Sequence, residues 1–485
     1  MTRIGIAILG AAALAAAAPA LAAPAPQDAK AVVAAASKAM GVEGLNSIKL
    51  WGSAATYTIG QNNNANGAWP QVNLNDYVRA IDFASGAAKT TAVTYGAPVT
   101  GGPAVKADLN QAILPGVAWT RQYDIWLTPW GFLKGAAANG ATMTDLTVGG
   151  RKMKLVTWNP PIKAATGQPY KVIGLIGPNN IVERVDTWVE HPIFGDMKVE
   201  ARFSDWRDAN GLKYPTTTEQ QIDGHPAFEL QILGVAPNPT DIAKLVAAPP
   251  AAAPPQPPPA QGPASDKLAD DVYRIRGAYN ALAVGFKDYV VVFEPGPQNE
   301  ARALAILAET RRLFPGKPIR YGVISHHHSD HTGGLEAVVA EGITIVTPEV
   351  NKAYLTRAYS GPRTLVGDAL AKSGKKPIIE AMGDKRVFDD GTHSLEIHQI
   401  KGLPHADGLV VAWLPKEKLL VYADMFNLPT AAQPVPDPPV VGTQVFVANL
   451  ERLKIEPERI MSIHTLNPDR LTNMEDIRSS LGLKK

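Results

Sequence analysis

Between Pro249 and Pro263 the chain carries eight prolines in 15 residues, interleaved with alanine and glutamine (PPAAAPPQPPPAQGP). Proline lacks a backbone N–H and fixes φ, so this stretch can form neither a helix nor a central strand. It predicts an extended, semi-rigid spacer reaching about 45 Å at roughly 3.1 Å per residue. A chain of 485 residues therefore folds as at least two units on either side of it. The expected boundaries are a leader at 1–22, a β-rich accessory or substrate-binding domain at 23–246, a Pro/Ala-rich linker at 247–265 and a second domain at 266–485. Residue usage changes across the linker. Eight of nine tryptophans precede it and eight of ten histidines follow it, so packing or binding is expected before it and chemistry after it.

The leader has one charge at Arg3, an alanine-rich apolar run from Ile4 to Ala18, and Ala20-Leu21-Ala22 as a small-x-small cleavage pattern. That reads as an export signal, and the run is short and weakly apolar for a membrane anchor. No later segment reaches 18 uninterrupted apolar residues, so no transmembrane segment is expected in the mature chain. The predicted location is periplasmic or secreted, which the absence of cysteine suits. That absence also excludes disulfides, thiolate ligands and a cysteine nucleophile. A net charge of +2 from 47 basic and 45 acidic residues argues against a nucleic-acid partner bound through charge.

In the first domain, residues 28–41 read as a helix. Alternating patterns over 48–59, 77–83, 153–158, 181–189, 197–203 and 228–233 read as strands. Gly149-Gly150, Asn179-Asn180, Asn210-Gly211 and Asp223-Gly224 mark hairpin connections. The expected fold is a mainly antiparallel, curved β-sheet with one helix. Phe203-Ser204-Asp205-Trp206-Arg207-Asp208 followed by Gly211-Leu212-Lys213-Tyr214-Pro215 resembles a stretch of periplasmic lipoprotein-carrier-like half-barrels. That resemblance implies a concave face able to hold an apolar ligand; the plainer alternative is that the aromatics fill a sheet core. His191 and His225 stand alone and read as surface or turn residues.

The second domain carries Ser325-His326-His327-His328-Ser329-Asp330-His331-Thr332-Gly333-Gly334 between a strand-like run at 321–324 and a helical start at 335. This places a His-x-His-x-Asp-His cluster on a loop at the C-terminal end of a strand. Alternate residues of an extended segment point the same way, which aims His326 and His328 at one point and His327 away from it. Asp330 turns the chain so that His331 reaches a neighbouring point. Further ligands must come from elsewhere: His405 lies before the strand 409–413, Asp424 ends the strand 418–423 and His464 ends the strand 459–463. Gly333-Gly334 is expected to permit close backbone packing, and Asp407 to be a near-site polar residue or a turn former. His393 and His398 read as surface residues, His398 with a weaker claim to support a ligand.

This order of motifs resembles the metallo-β-lactamase superfamily over essentially all of residues 266–485, including an opening hairpin of 272–275 with 289–293 and a turn at Glu294-Pro295-Gly296. The resemblance implies an α+β chain whose C-terminal domain is an αββα sandwich. It also implies a catalytic site in which His326, His328 and His405 hold one zinc and Asp330, His331 and His464 a second, with Asp424 bridging. Imidazoles and carboxylates suit zinc, with iron or manganese as alternatives. Two such ions lower the pKa of a shared water to about 7, giving a hydroxide that attacks a carbonyl or phosphoryl centre. Asp330 is the expected catalytic group that orients the nucleophile and shuttles its proton.

Departures narrow the choice. Asp424 stands where some zinc lactamases carry cysteine, and His328 stands where a flavodiiron protein would place glutamate. Thioesterases resembling this site carry a helical domain after the last histidine, where 21 residues follow His464. The favoured expectation is an exported dinuclear zinc hydrolase of an ester, lactone or amide in a small-molecule substrate. The alternatives are β-lactam hydrolysis, a mononuclear iron oxygenase of sulfur compounds, and an apolar-ligand-binding protein with a vestigial metal site.

Overall fold

A computed structural model describes residues 28–96, 104–249, 264–429, 435 and 439–483. The expected export signal and residues 250–263 of the proline spacer lie outside this range. The first domain is a single eleven-stranded antiparallel sheet. Its central strand Ser47–Tyr57 pairs with Gln71–Asp82 on one side and with His225–Pro237 on the other, so the start and end of the domain meet in mid-sheet. All six strands expected from alternation are present, and each of the four marked dipeptides joins neighbouring strands. Asn210 and Gly211 adopt φ of +56° and +87°, the left-handed pair that a tight hairpin matching the sheet twist requires.

Alternation did not reveal Ala87–Gly96, Val105–Ile113, Thr142–Val148, Val172–Ile176 or Leu212–Ile222, and two of these have a plain physical reason for hiding. Thr142–Val148 is an edge strand exposed on both faces, and Val172–Ile176 is almost wholly buried on both. Neither environment imposes a period of two. The expected helix is Ala29–Met40, capped by the Asp28 side chain on Lys30 N at 3.0 Å and closed by Gly41 at φ +71°. To it the structure adds Trp119–Trp126, Pro129–Ala138 and a short turn at Ile242–Leu245. Trp119, Trp130 and Trp158 are at most 2 % exposed and share one core with these helices. Ala88, near one edge of the sheet, and Val156, near the other, reach the same core. A flat sheet of this width would span roughly 50 Å at about 4.8 Å per strand, so a shared core requires it to curl around the helices. A cavity of about 330 Å³ opens on this sheet, lined by Leu74, Leu109 and Phe228 but also by the Arg79–Asp124 ion pair.

The second domain consists of a seven-stranded and a five-stranded sheet, each mixed. Its core contains Leu282, Val291 and Val323 of the first sheet together with Ile397, Ala412 and Val421 of the second, so the sheets face each other. Helices Glu300–Leu313 and Glu349–Ser360 cover the outside of the first sheet, and Val441–Leu453 and Met474–Ser480 cover the second. This is the expected αββα sandwich. The opening hairpin needs correction: 272–275 and 289–293 do not pair with each other, because the strand Ala281–Gly285 lies between them and pairs with both.

The domains are in contact. The buried Arg363 guanidinium of the second domain donates to the Ile193 carbonyl at 3.1 Å and to that of Pro192, while its Nε pairs with Asp368 at 2.9 Å. From the first domain, Asp196 accepts hydrogen bonds from Thr364 N and Leu365 N at 2.7 and 2.9 Å. Removing one partner of a buried ion pair strands the other charge. Arg363→Ala is expected to cost about 3 kcal/mol or more, measured as a drop in the denaturant midpoint at unchanged slope.

Candidate metal centre

The strand Ile319–Val323 delivers the chain to the sandwich edge, where Ser325 to His328 form a loop that bends at Ser325 and His327 and the short helix Ser329–Thr332 begins. Thr332 Oγ1 closes that turn on the His328 carbonyl at 2.9 Å. A Cβ at Gly333 or Gly334 would sit 2.3 Å from Gln298 O or 2.4 Å from Asn299 O, so these glycines serve close backbone packing, as expected. The other ligand loops arrive at the same edge. Val410 N donates to Ser325 O at 2.8 Å, tying the His405 loop to the histidine cluster. Asp424 follows the strand Leu419–Tyr422 with φ +58°, and His464 follows Arg459–Ser462, where Ile463 N bonds Tyr422 O at 2.9 Å.

All seven candidate residues converge. Ligand atoms of His326, His328 and His405 lie within 4.8 Å of one another, as do those of His326, His331 and Asp424, and those of Asp330, His331 and His464. His405 Nε2 faces His326 Nε2 at 3.1 Å, and His464 Nε2 faces His331 Nε2 at 3.2 Å. Asp424 spans both sets: Oδ2 lies 2.8 Å from His331 Nε2, 3.8 Å from His326 Nε2 and 3.9 Å from His405 Nε2, while Oδ1 lies 3.0 Å from His464 Nε2. Yet Asp424 Oδ2 is buried without a properly formed hydrogen bond, and so is His328 Nδ1. Buried polar atoms normally find partners; these converging orphans fit divalent cations. The centre is closed on one side and open on the other. His326, His328, His331 and His405 are at most 4 % exposed, whereas the side chains of Asp330 and His464 are 34 % and 31 % exposed.

The surrounding groups set the protonation states. Burial pushes His326 well down and His328 down to about 3, keeping both imidazoles neutral and available as ligands. His331 goes the other way: the Glu294 and Asp424 carboxylates outweigh its burial and push it well up. That field favours positive charge between His331 and Asp424. Burial acts against the Asp330 carboxylate, but His331 and the Gln61 hydrogen bond outweigh it and lower its pKa.

Three of the imidazoles are oriented through their other nitrogen, as metal-binding histidines usually are. Ser325 Oγ meets His326 Nδ1 at 3.0 Å, Glu294 Oε2 meets His331 Nδ1 at 2.9 Å, and Asn62 O meets His328 Nε2 at 3.1 Å. Tyr279 donates its hydroxyl to Asp330 Oδ2 at 2.9 Å and packs on the His464 ring with centroids 4.3 Å apart. Glu294, Tyr279, Gln61 and Asn62 were missed in the sequence. Glu294 is fully buried at φ +63° and also accepts from Ser325 N. A non-glycine in the left-handed region is a recognised mark of a functional position, but the sequence reads there only as a turn. The others carry no local signal.

The remaining histidines sort differently. His327 points away from the cluster as expected and gives its Nε2 proton to Asn62 O at 2.8 Å. His393 and His398 are not surface residues: they are 8 % and 6 % exposed, facing Glu417 at 3.2 Å and Glu396 at 2.7 Å, outside all three ligand groups. A half-polar strand and its flank do not show in sequence which face is covered. His191 accepts from Ile193 N in a turn. Asp407 sits against the first domain, its N–H on Asn63 O at 2.7 Å and its carboxylate near Asn64.

Residues 274–459 match the family model described as the metallo-beta-lactamase superfamily. The C-terminal half is a metallo-β-lactamase-type domain. No curated protein is significantly similar to the chain. Among solved structures, a metallo-beta-lactamase from Pontibacter korlensis is 18 % identical, with 45 % of this chain aligned to 97 % of that one at a TM-score of 0.33. A metallo-beta-lactamase from Hirschia baltica is 16 % identical, with 45 % of this chain aligned to 95 % of that one at 0.32. The flavodiiron protein from Giardia intestinalis is 16 % identical, with 47 % of this chain aligned to 59 % of that one at 0.33.

If the metallo-β-lactamase-type site holds metal, its outer partners should tune affinity. Glu294→Gln, which weakens the acceptor behind His331, is expected to loosen metal binding by about 10–100-fold, measured by competition with a chromophoric chelator. Stripping the metal with a chelator should lower stability by about 2.7 kcal/mol relative to protein at a hundred times its dissociation constant, read as a shift in melting temperature.

Proposed function

We propose that the chain is an exported dinuclear zinc hydrolase acting on an ester, lactone or amide. The observation that carries this reading is Asp424, whose two oxygens reach toward both histidine sets and leave a buried orphan atom between them. A bound metal pair would supply a nucleophilic water at neutral pH and polarise the bond under attack. The residues of the chain do the rest. His326, His328 and His405 would hold the deeper ion, Asp330, His331 and His464 the ion nearer solvent, and Asp424 would lie between them. Superfamily members include hydrolases that use zinc and oxidoreductases that use iron. Seven ligands in two overlapping sets favour a metal pair over a mononuclear iron site.

Asp330 is the proton-handling group in this reading. Its Oδ2 faces His331 at 3.4 Å and accepts from Tyr279, and its Oδ1 accepts from Gln61 at 2.9 Å. Two donors fix the carboxylate in place, and His331 beside it favours its ionised form. It can therefore orient an attacking water and pass the proton on toward the solvent-exposed side without retaining it. His464, partly exposed beside Asp330, lines the route by which substrate enters. Export is inferred from the leader at 1–22. The cavity on the first sheet, with apolar walls and the Arg79–Asp124 pair, suits an amphipathic ligand better than a bare acyl chain.

His405→Ala is expected to abolish turnover and lower bound zinc while the protein stays folded by circular dichroism. The test is a panel of lactones, aryl esters, amides, β-lactams and phosphodiesters against zinc-loaded wild type and this variant. Turnover of a β-lactam or phosphodiester alone would move the substrate assignment, and full activity in His405→Ala would remove the site.

A further inference from the structure

The ligand loops of the second domain do not end at its own boundary. The connection between strands Ser47–Tyr57 and Gln71–Asp82 of the first domain lies directly across them. Gly60 O accepts from Ser329 N at 3.2 Å, and Gln61 Nε2 donates to Ser329 Oγ at 3.0 Å and to Asp330 Oδ1 at 2.9 Å. Asn62 O accepts from both His327 and His328, at 2.8 and 3.1 Å. Asn63 clasps the His405 loop from above, its Nδ2 on Pro404 O at 2.8 Å and its O on Asp407 N at 2.7 Å. Asn62 is 1 % exposed and folds the loop back through its own amide onto Asn64 O and, at 3.3 Å, Gly67 O. A Cβ at Gly60 would lie 3.3 Å from Ser329 Cβ, so the backbone approaches as closely as packing allows. These are complementary contacts at four consecutive positions, buried at Gly60 and Asn62, half-buried at Gln61 and exposed at Asn63, and they fall on three of the seven candidate ligands or their immediate neighbours.

We propose that residues 60–63 of the first domain are a working part of the metal centre, with Gln61 as a positioning residue for Asp330. The Asn62 carbonyl takes the His328 Nε2 proton, so Nδ1, the orphaned nitrogen, is left to face the cation. Gln61 holds one oxygen of Asp330 by a neutral donor, which turns the other oxygen toward His331 and His464. The β-rich domain is then a structural component of the centre, beyond any role as a carrier attached through a spacer. This inference rests on reading the cluster as a metal site.

The test compares full-length wild type, Gln61→Ala and Asn66→Ala, each titrated with cobalt(II) and zinc(II) against a chromophoric chelator. Asn66 is a control on the same loop: its Nδ2 reaches Val350 O at 3.2 Å and it touches no candidate ligand. Gln61→Ala is expected to bind the weaker of two metals about 10–100-fold less tightly and to alter the cobalt d–d spectrum of that site. Asn66→Ala is expected to match wild type. Wild-type affinities and spectrum in Gln61→Ala would overturn the inference, as would an equal loss in Asn66→Ala, which would indicate a loosened domain contact only. Wild type that binds neither ion would overturn the metal reading beneath it.

Discussion

Two pairs of imidazole nitrogens face one another at 3.1 and 3.2 Å in a centre that is buried around His326 and His405 and open to solvent at His464. Burial opposes protonating His326 or His328, while the Glu294 and Asp424 carboxylates draw positive charge to His331. Folding such a cluster costs free energy unless positive charge occupies the space between the rings. The rest of the C-terminal domain is organised around meeting that condition. Strands of both sheets end at one edge of the sandwich, their loops are lashed together by backbone hydrogen bonds, and Glu294, Asp330 and Asp424 bring the compensating negative charge.

The same constraint gives the β-rich domain a place in the account. Its curled sheet is a large scaffold with its own core of helices and tryptophans, and one inter-strand connection projects from it onto the ligand loops. Arg363 and Asp196 pin the domains at a second place. A proline-rich spacer is compatible with either loose or fixed domains; the buried contacts decide for fixed ones.

Some of this was legible in the sequence for a clear reason. His326, His328, Asp330 and His331 lie within six residues, so local backbone geometry alone brings them together. His405, Asp424 and His464 were legible as residues at strand ends, and the family resemblance tied them to the cluster. Asn62 and Gln61 were not, because their bonds span 265 to 269 residues of chain and a glutamine–asparagine loop looks like any surface hairpin. Glu294 hid for a different reason: its left-handed backbone makes it read as a turn while its side chain turns inward. Strands with uniform burial hid because alternation needs two unlike faces.

Anomalous diffraction from crystals of the zinc-loaded full-length protein tests the central claim most directly. The account predicts two peaks, each about 2.0–2.2 Å from its nitrogen and oxygen ligands, one among His326, His328 and His405 and one among Asp330, His331 and His464, with Asp424 between them. Zinc at neither position would contradict it.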